Sequence, residues 1–279
     1  IGKNLLRMDP WTLAAGRDGE MESETASVNA QPILNQLMKS GLPLRPNYKT
    51  YFGTQPEIQL PELDLRYQYE FDCDYGGEIG LVYEPGSIRG EWSIDVNGEV
   101  MREGDFEKTD AHVRGSLGCR ITDAVNRGSN RVTVNVRTDR MDGGLLNPLY
   151  LAGDFFVSLD PIALKERSSQ GVFEAYRLNG LPHYSGTVEY VSHFEIPAPL
   201  PDSREVILRL AYGFPFHEAT EVAINDGTFE AVLWEPRVLR VDREQLKSGQ
   251  NILKMRVHTS LIRSFEGTWF DYDRHVYRD

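Results

Sequence analysis

The sequence predicts an all-β protein with two tandem β-sandwiches and an irregular N-terminal arm. The main evidence is the alternation of apolar and polar residues, as at Val132, Val134 and Val136, with the period of two that is typical of half-buried strands. Turn residues separate such stretches, and Asn97-Gly98 is the strongest short hairpin signal, because both residue types accept a positive φ. Helical patterns are few and short, so we expect strands and turns along most of the chain.

The length and composition favour two folded domains and exclude some partners. The chain has 279 residues, of which 40% are hydrophobic and 10% aromatic, so it can build two cores. Its formal net charge is -12, whereas phosphate binding needs a basic surface. An acidic surface also disfavours anionic membranes, and no apolar run reaches the ~18 to 20 residues of a membrane span. We therefore expect neither nucleic acid nor a membrane as a partner.

The first segment, residues 1–60, is predicted to be an N-terminal arm or linker. It contains one short helical pattern, from Pro32 to Ser40. Proline is favoured at the first helical position, and Gly41 ends the pattern. Further prolines follow, so the rest of the arm is expected to be irregular.

The two sandwiches are predicted over residues 61–160 and 172–279. Between them, Asp160-Pro161 suits the start of a short helix, with Asp as N-cap and Pro as first helical residue, and this helix is expected to run to Ser168. The last part of the second sandwich is an aromatic C-terminal tail, which is expected to pack on a domain.

The two predicted sandwiches repeat one pattern of elements. Asn97 and Asn225 each occupy a turn after a strand, and each is followed by a capped helical turn. A Gly-x-Asn step then opens a further strand and ends at Asn130 in the first sandwich and at Asn251 in the second. The spacings differ by a few residues, so the repetition is one of fold rather than of a short solenoid unit.

The second sandwich also resembles a known family, through Leu233-Trp234-Glu235-Pro236. It is similar to the sugar-binding β-sandwich of the β-galactosidase and β-glucuronidase family, and closer still to the C-terminal sandwich of bacterial α-L-rhamnosidase-like glycoside hydrolases. Two departures are an extra Asp226 in the hairpin and Arg237 in place of a second proline. The resemblance implies that both sandwiches are galactose-binding-like jelly rolls. The matching residues are Glu221, Val222, Asn225, Gly227, Leu233, Trp234, Pro236, Gly249, Asn251 and Leu253.

No catalytic residue is assigned to this chain. In the resembled families the catalytic carboxylates lie in an eight-stranded α/β barrel, which needs about 250 residues of alternating strand and helix. The sequence has too few helical patterns for such a barrel, and the Trp-Arg-x-x-Gly loop of the β-galactosidase type is missing. Carboxylate pairs arise by chance among 42 acidic residues, so they identify no glycosidase site.

No cofactor is expected. Cys73 and Cys119 form neither a disulfide framework nor a metal-ligand spacing, and buried free thiols are the simpler interpretation. The six histidines also lack a ligand spacing. Asp72-x-Asp74 and Asp271-x-Asp273 offer oxygens but no complete calcium loop. Because jelly rolls of this type often hold a structural Ca²⁺, the resemblance leaves that ion open.

Sugar binding needs exposed aromatic faces and planar polar side chains. For Trp234, His183 and Tyr184 the alternative is packing in the core, whereas Phe216 and His217 lie in a loop between strands, which is a better place for a ligand. The candidate carbohydrate-binding residues are Trp234, His217, Phe216, Tyr184, His183, Trp269 and Tyr272.

The sequence therefore predicts a non-catalytic β-sandwich pair from a bacterial glycoside hydrolase, for carbohydrate binding or active-site scaffolding. Its expected partners are a carbohydrate and the catalytic domain of the same polypeptide, because the chain starts at Ile1 without Met and resembles a piece of something longer. Two alternatives stay open. One is a small β-sandwich polysaccharide hydrolase or lyase that uses carboxylates or His217, and the other is a protein-interaction module that docks through the aromatic tail. The sugar and the cellular compartment do not follow from the sequence.

Overall fold

The chain divides into two compact units. The computed structural model describes residues 3–28, 62–140, 143–168, 180–197, 206–210, 218–234, 236–259, 261, 269–271 and 276–278. The first unit is Leu5–Arg167, and the second is Ser168–Asp279 together with Ile1–Asn4. The helix predicted from Pro32 to Ser40 lies outside the described residues.

The first unit is built on two large β-sheets. One has five strands in the order β1-β13-β5-β10-β9. The other has eight strands, in the order β14-β15-β4-β11-β7-β8 with β2 paired to β4 and to β3. The strands are β1 (Asn4–Met8), β2 (Trp11–Arg17), β3 (Glu20–Val28), β4 (Leu63–Cys73), β5 (Ile79–Tyr83), β6 (Ile88–Arg89), β7 (Glu91–Val96), β8 (Glu99–Met101), β9 (Glu107–Thr109), β10 (Ser116–Arg120), β11 (Gly128–Thr138), β12 (Gly144–Leu145), β13 (Leu149–Gly153), β14 (Phe156–Leu159) and β15 (Ile162–Lys165).

Alternation along β4 shows how the two sheets form a sandwich. Leu65 and Tyr67 are buried, with 1% and 0% of their surface exposed. Asp64, the residue before Leu65, is half-buried and lies on the opposite face of the strand. Strand β11 lies antiparallel to β4 over its whole length and repeats the alternation. The buried side chains join Leu81 and Leu151 of the five-stranded sheet in one core. Each such side chain contributes about 1.5–3 kcal/mol by burial, so this core holds the first unit together.

The predicted irregular arm is wrong for the part of it that the structure describes. Residues 4–28 form β1, β2 and β3, and β2 pairs along β4 in the eight-stranded sheet. Trp11 has no exposed surface, and its ring lies 5.5 Å from that of Tyr69. The apolar residues of this segment fill a place in the core, and that tertiary contact outweighs its weak local pattern.

The helix expected after Asp160-Pro161 is also absent from the described residues. These two residues instead form the turn between β14 and β15, which pair antiparallel, and β15 also pairs in parallel with β4. An Asp-Pro pair is compatible with a turn as well as with the start of a helix. The pairing partner, which is far away in sequence, decides between the two.

The second unit has smaller sheets in its described part. One sheet has four strands in the order β16-β21-β18-β19, and two-stranded sheets are formed by β17 with β20 and by β22 with β23. Val188, Val222 and Val257 are buried on adjacent strands of the four-stranded sheet. The strands are β16 (Thr187–Ile196), β17 (Val206–Arg209), β18 (Ala219–Ile224), β19 (Glu230–Ala231), β20 (Val238–Val241), β21 (Gly249–His258), β22 (Trp269–Asp271) and β23 (Val276–Arg278).

The all-β prediction is confirmed. Helical structure in the described residues is limited to three 3₁₀ turns, at Glu103–Asp105, Thr122–Ala124 and Arg243–Gln245. No helix in this part of the chain has the length and apolar character needed to cross a membrane.

Asn97 and Asn130 join the β7–β8 turn of the first unit to the start of β11. Asn97 and Gly98 have φ angles of 53° and 98°, as the two-residue hairpin requires. The Asn97 amide donates to Asn130 Oδ1 and to the carbonyl of Ala124, both at 2.8 Å. Its Oδ1 accepts from the Arg131 backbone N–H at 2.9 Å. We call this pair of side chains the asparagine clasp of the first unit.

The second unit contains the same clasp, formed by Asn225 and Asn251. The Asn225 amide donates to Asn251 Oδ1 at 2.9 Å and to the carbonyl of Gln245 at 2.6 Å. Its Oδ1 accepts from the Ile252 backbone N–H at 2.9 Å. Asn251 Oδ1 also accepts from Lys247 N at 2.8 Å. The repetition predicted from the sequence is therefore present at the level of individual hydrogen bonds.

Candidate functional site

The structure describes only some of the seven candidate carbohydrate-binding residues. Phe216, His217 and Tyr272 lie outside the described residues. Trp269 is the first residue of β22, but its side chain is not among those described. His183, Tyr184 and Trp234 can be placed with their side chains, so the prediction can be compared with the structure for these three.

His183 and Tyr184 do not present a face to solvent. They are 7% and 3% exposed, so neither ring offers the open face that stacking on a sugar requires, and their role in sugar binding stays a prediction. Tyr184 also has a local structural role, because its hydroxyl donates to the Thr187 carbonyl at 3.2 Å. Its own carbonyl accepts from the hydroxyl of Thr259 at 2.9 Å. The bond from Thr259 joins the residue after β21 to the chain before β16.

Trp234 is on the surface, so the alternative of packing in the core does not apply to it. Its side chain is 81% exposed, and that of its neighbour Leu233 is 45% exposed. Both lie in the connection between β19 and β20. An indole that is open to solvent can stack on the apolar face of a sugar ring, while its N–H remains free to bond a hydroxyl.

The connection that carries Trp234 is anchored on both sides. On the N-terminal side, Val232 N donates to the Thr220 carbonyl and the Thr220 hydroxyl donates to the Val232 carbonyl, both at 2.8 Å. On the C-terminal side, Arg237 is 6% exposed and donates to the Glu218 carbonyl at 3.2 Å. Its own carbonyl accepts from Leu210 N at 3.0 Å. Arg237, which stands in place of the second proline, thus anchors this connection. We call Leu233 and Trp234 together the Trp234 loop.

A groove on the first unit was not anticipated from the sequence. It has a volume of about 320 Å³ and lies on the outward face of the eight-stranded sheet. Outward positions of β4, β11 and β7 form its floor, and the β2–β3 hairpin and the residue after β8 also line it. The sequence does indicate that the polar residues of each alternating strand point outward. Which of them become neighbours depends on strand register, which alternation alone does not give.

One ion pair fixes the floor of this sheet groove. Arg137 Nε donates to Asp64 Oδ1 at 2.9 Å, and Gly19 N donates to Asp64 Oδ2 at 2.7 Å. The bond from Arg137, followed by that from Gly19, holds the pKa of Asp64 below its ordinary value of 3.8. The same bond raises the pKa of Arg137, so both groups are charged at neutral pH.

The remaining chemistry of the described residues is structural. Cys73 and Cys119 are free thiols, and burial raises the pKa of each. His112 packs against Tyr150 with ring centroids 4.0 Å apart, and burial lowers its pKa despite the Glu84 carboxylate 3.1 Å away. No group of three or more His, Cys, Asp or Glu that could hold a metal exists among the described residues.

The fold and these two surface features define a two-unit β-sandwich protein. No family model and no curated protein matches the sequence. Several solved structures of glycoside hydrolases are similar to this chain. A β-D-mannosidase from Dictyoglomus thermophilum shares 14% identity at a TM-score of 0.36, and the match covers 92% of this chain and 31% of that chain.

Two further matches are of the same kind. A β-glucuronidase from glycoside hydrolase family 2 shares 11% identity at a TM-score of 0.36, over 92% of this chain and 27% of that one. A putative β-galactosidase from Bacteroides fragilis shares 13% identity at a TM-score of 0.34, over 92% of this chain and 36% of that one. The chain therefore spans about a third of the length of these enzymes. Likeness at this level assigns neither a family nor an activity to it.

Proposed function

We propose that the chain is a non-catalytic β-sandwich pair of a glycoside hydrolase and that its second unit binds carbohydrate through Trp234. The observation that carries this proposal is the 81% exposed indole in a loop anchored on both sides. A sugar ring of matching size that stacks on this indole removes apolar surface of both from water, which favours binding. The anchors keep the loop in place, so little conformational entropy is lost when a ligand binds.

Two further arguments support this proposal. The sequence motif around Trp234 resembles that of sugar-binding sandwiches, and the strands of the described residues belong to sandwich sheets rather than to an α/β barrel. The motif favours the α-L-rhamnosidase-like type, whereas the solved structures named above are a mannosidase, a glucuronidase and a galactosidase. The proposal therefore names carbohydrate as the ligand and leaves the sugar to the experiment.

The test is calorimetric titration of the chain with rhamnose, galactose, glucuronic acid and plant oligosaccharides. We expect saturable binding of at least one glycan, and we expect Trp234→Ala to weaken it at least tenfold, because one aromatic contact contributes about 0.5–1.5 kcal/mol beyond its buried area. The matched control is Val191→Ala, which removes a 54% exposed apolar side chain from β16 of the same unit.

Two outcomes would contradict the proposal. One is that no glycan binds, and the other is that Trp234→Ala binds as tightly as the unmodified chain. Thermal unfolding of each variant checks that the fold is retained. The alternative of a small sandwich enzyme depended on carboxylates or His217, and that of a protein-interaction module on the aromatic tail. His217 lies outside the described residues, and the contacts of the described residues favour neither alternative.

A further inference from the structure

We propose that the sheet groove of the first unit is a second carbohydrate-binding site, and that it takes an uncharged saccharide. This site lies in the other unit and shares no residue with the Trp234 loop. Its volume of about 320 Å³ is at the lower end of the range of roughly 300–1,000 Å³ for small-molecule sites, which suits a short saccharide.

Strand register brings the polar residues of the floor together. Arg137 of β11 is paired with Asp64 of β4 on one side and with Glu91 of β7 on the other. Two residues earlier on the same face, Asn135 is paired with Ser93. The floor is therefore a short grid of hydrogen-bonding side chains that stand on neighbouring strands. Side chains on strands are held more rigidly than those on loops, which favours a preformed site.

The charges of the groove favour an uncharged ligand. Two guanidinium groups, those of Arg102 and Arg137, are balanced by the carboxylates of Asp64 and Glu91, although the whole chain carries a net charge of -12. Asp64 and Arg137 already neutralise each other through their hydrogen bond of 2.9 Å. An anionic or a cationic ligand would gain from one pair of groups and be repelled by the other.

The hydrogen-bonding groups match hydroxyl groups. Carboxylates only accept and guanidinium groups only donate, whereas Asn135 and Ser93 do both. Each hydroxyl of a sugar is both a donor and an acceptor. It can therefore accept from a guanidinium group and donate to a carboxylate at the same time. Among the described residues Arg102 has no salt-bridge partner, so its donors are available at the rim of the groove.

The described residues that line the groove include no exposed aromatic ring. Trp92 is among its lining residues, but the Trp92 ring packs in the core, 5.5 Å from Tyr83 and 6.0 Å from Phe106. Binding there would depend on hydrogen bonds, and we expect it to be weaker than binding at Trp234.

The test uses the full chain with Trp234→Ala, so that any residual binding belongs to another site. The probe is the neutral oligosaccharide that gives the largest response in the titration panel, and it is compared with glucuronic acid. We expect saturable residual binding that falls at least fivefold with Asn135→Leu, which removes the amide from the floor at a similar side-chain size, and with Arg102→Ala, which alters an exposed rim residue and leaves the core intact. Glucuronic acid should bind no more tightly than the neutral probe.

The matched control is Arg131→Ala, which should leave residual binding unchanged. Arg131 lies on the same face of β11 but pairs with Glu70 at 2.6 Å, outside the groove. The groove proposal fails if residual binding is absent, if both groove variants bind normally, or if glucuronic acid binds more tightly. The proposal for Trp234 survives each of these outcomes, and it fails separately if Trp234→Ala has no effect on the unmodified chain. If no glycan binds to the unmodified chain, both proposals fail.

Discussion

At the scale of the residue, the two asparagine clasps show how a polar side chain can be buried without cost. Asn251 is fully buried, and each polar atom of its side chain has two partners. Buried amides are tolerated when their bonds are satisfied, and they specify one geometry because no other arrangement satisfies them. The sequence identified these asparagines as turn formers, but their mutual contact depends on the pairing of distant strands.

Asn251→Ala and Asn130→Ala should each lower the free energy of unfolding by about 2–4 kcal/mol, because several buried partners lose their hydrogen bonds at once. Urea denaturation followed by circular dichroism measures this loss. The matched controls are Gln250→Ala and Ser129→Ala, which alter the exposed neighbours one position earlier and should stay within about 0.5 kcal/mol. A loss in the asparagine variants no larger than in the controls would contradict the role of the clasp.

Asp64 makes part of the stability of the first unit dependent on pH. The bond from Arg137 lowers its pKa in the folded state, so its stabilising contribution is present above the ordinary value of 3.8 and is lost as the pH falls through the lowered value. The unmodified chain should lose free energy of unfolding as the pH falls from about 6 to about 2.5, and Asp64→Asn should lose less of it over the same range. Urea titrations at both pH values measure this decrease. The same decrease in variant and unmodified chain would show that the carboxylate is not stabilised as the structure indicates.

At the scale of the element, strands were predictable where one face is buried and the other is solvated. In β4 and β11 the apolar residues alternate with polar ones, so both the strand and its inward face could be predicted. The turn at Asn97-Gly98 could be predicted for a separate reason, since its backbone needs two positive φ angles. Local rules of this kind are the reason why the all-β fold and the repetition of elements could be predicted.

Elements whose conformation depends on distant partners were not predictable. Asp160-Pro161 fits a helix start and a turn equally well, and only the pairing of β15 with β4 selects the turn. Likewise Asp64 and Arg137 are 73 positions apart, and the groove they help to form exists only through the register of β4 and β11. Trp234 was ambiguous because a tryptophan in a strand-rich motif can face either the core or the solvent.

At the scale of the whole molecule, the N-terminal strands complete the first sandwich. Leu6, Met8 and Trp11 each have no exposed surface and belong to the same core as β4 and β11. A domain boundary placed at residue 61 would therefore remove part of a core rather than an accessory arm.

Removal of residues 1–28 should unfold the first unit. Loss of buried large side chains costs about 2–5 kcal/mol each, so the sum is comparable to the roughly 5–15 kcal/mol by which a domain is stable. Amide hydrogen exchange of β4 and β11 measures the effect, and their protection should be lost. Removal of residues 1–3 alone, which precede β1, is the control and should preserve that protection. Protected β4 amides in the shortened chain would show that the core is complete without β1–β3.

The asparagine clasps also act as non-covalent crosslinks that close a loop. The loop is closed between residues 33 positions apart in the first unit and 26 positions apart in the second. The entropy of loop closure grows only with the logarithm of length, so this difference changes the free energy by about 0.2 kcal/mol. The exposed turns of the intervening chain can therefore change in length at little thermodynamic cost, whereas its strands, such as β10, and its buried residues, such as Met101, cannot. Insertions into those exposed turns are therefore changes that this fold should accept readily.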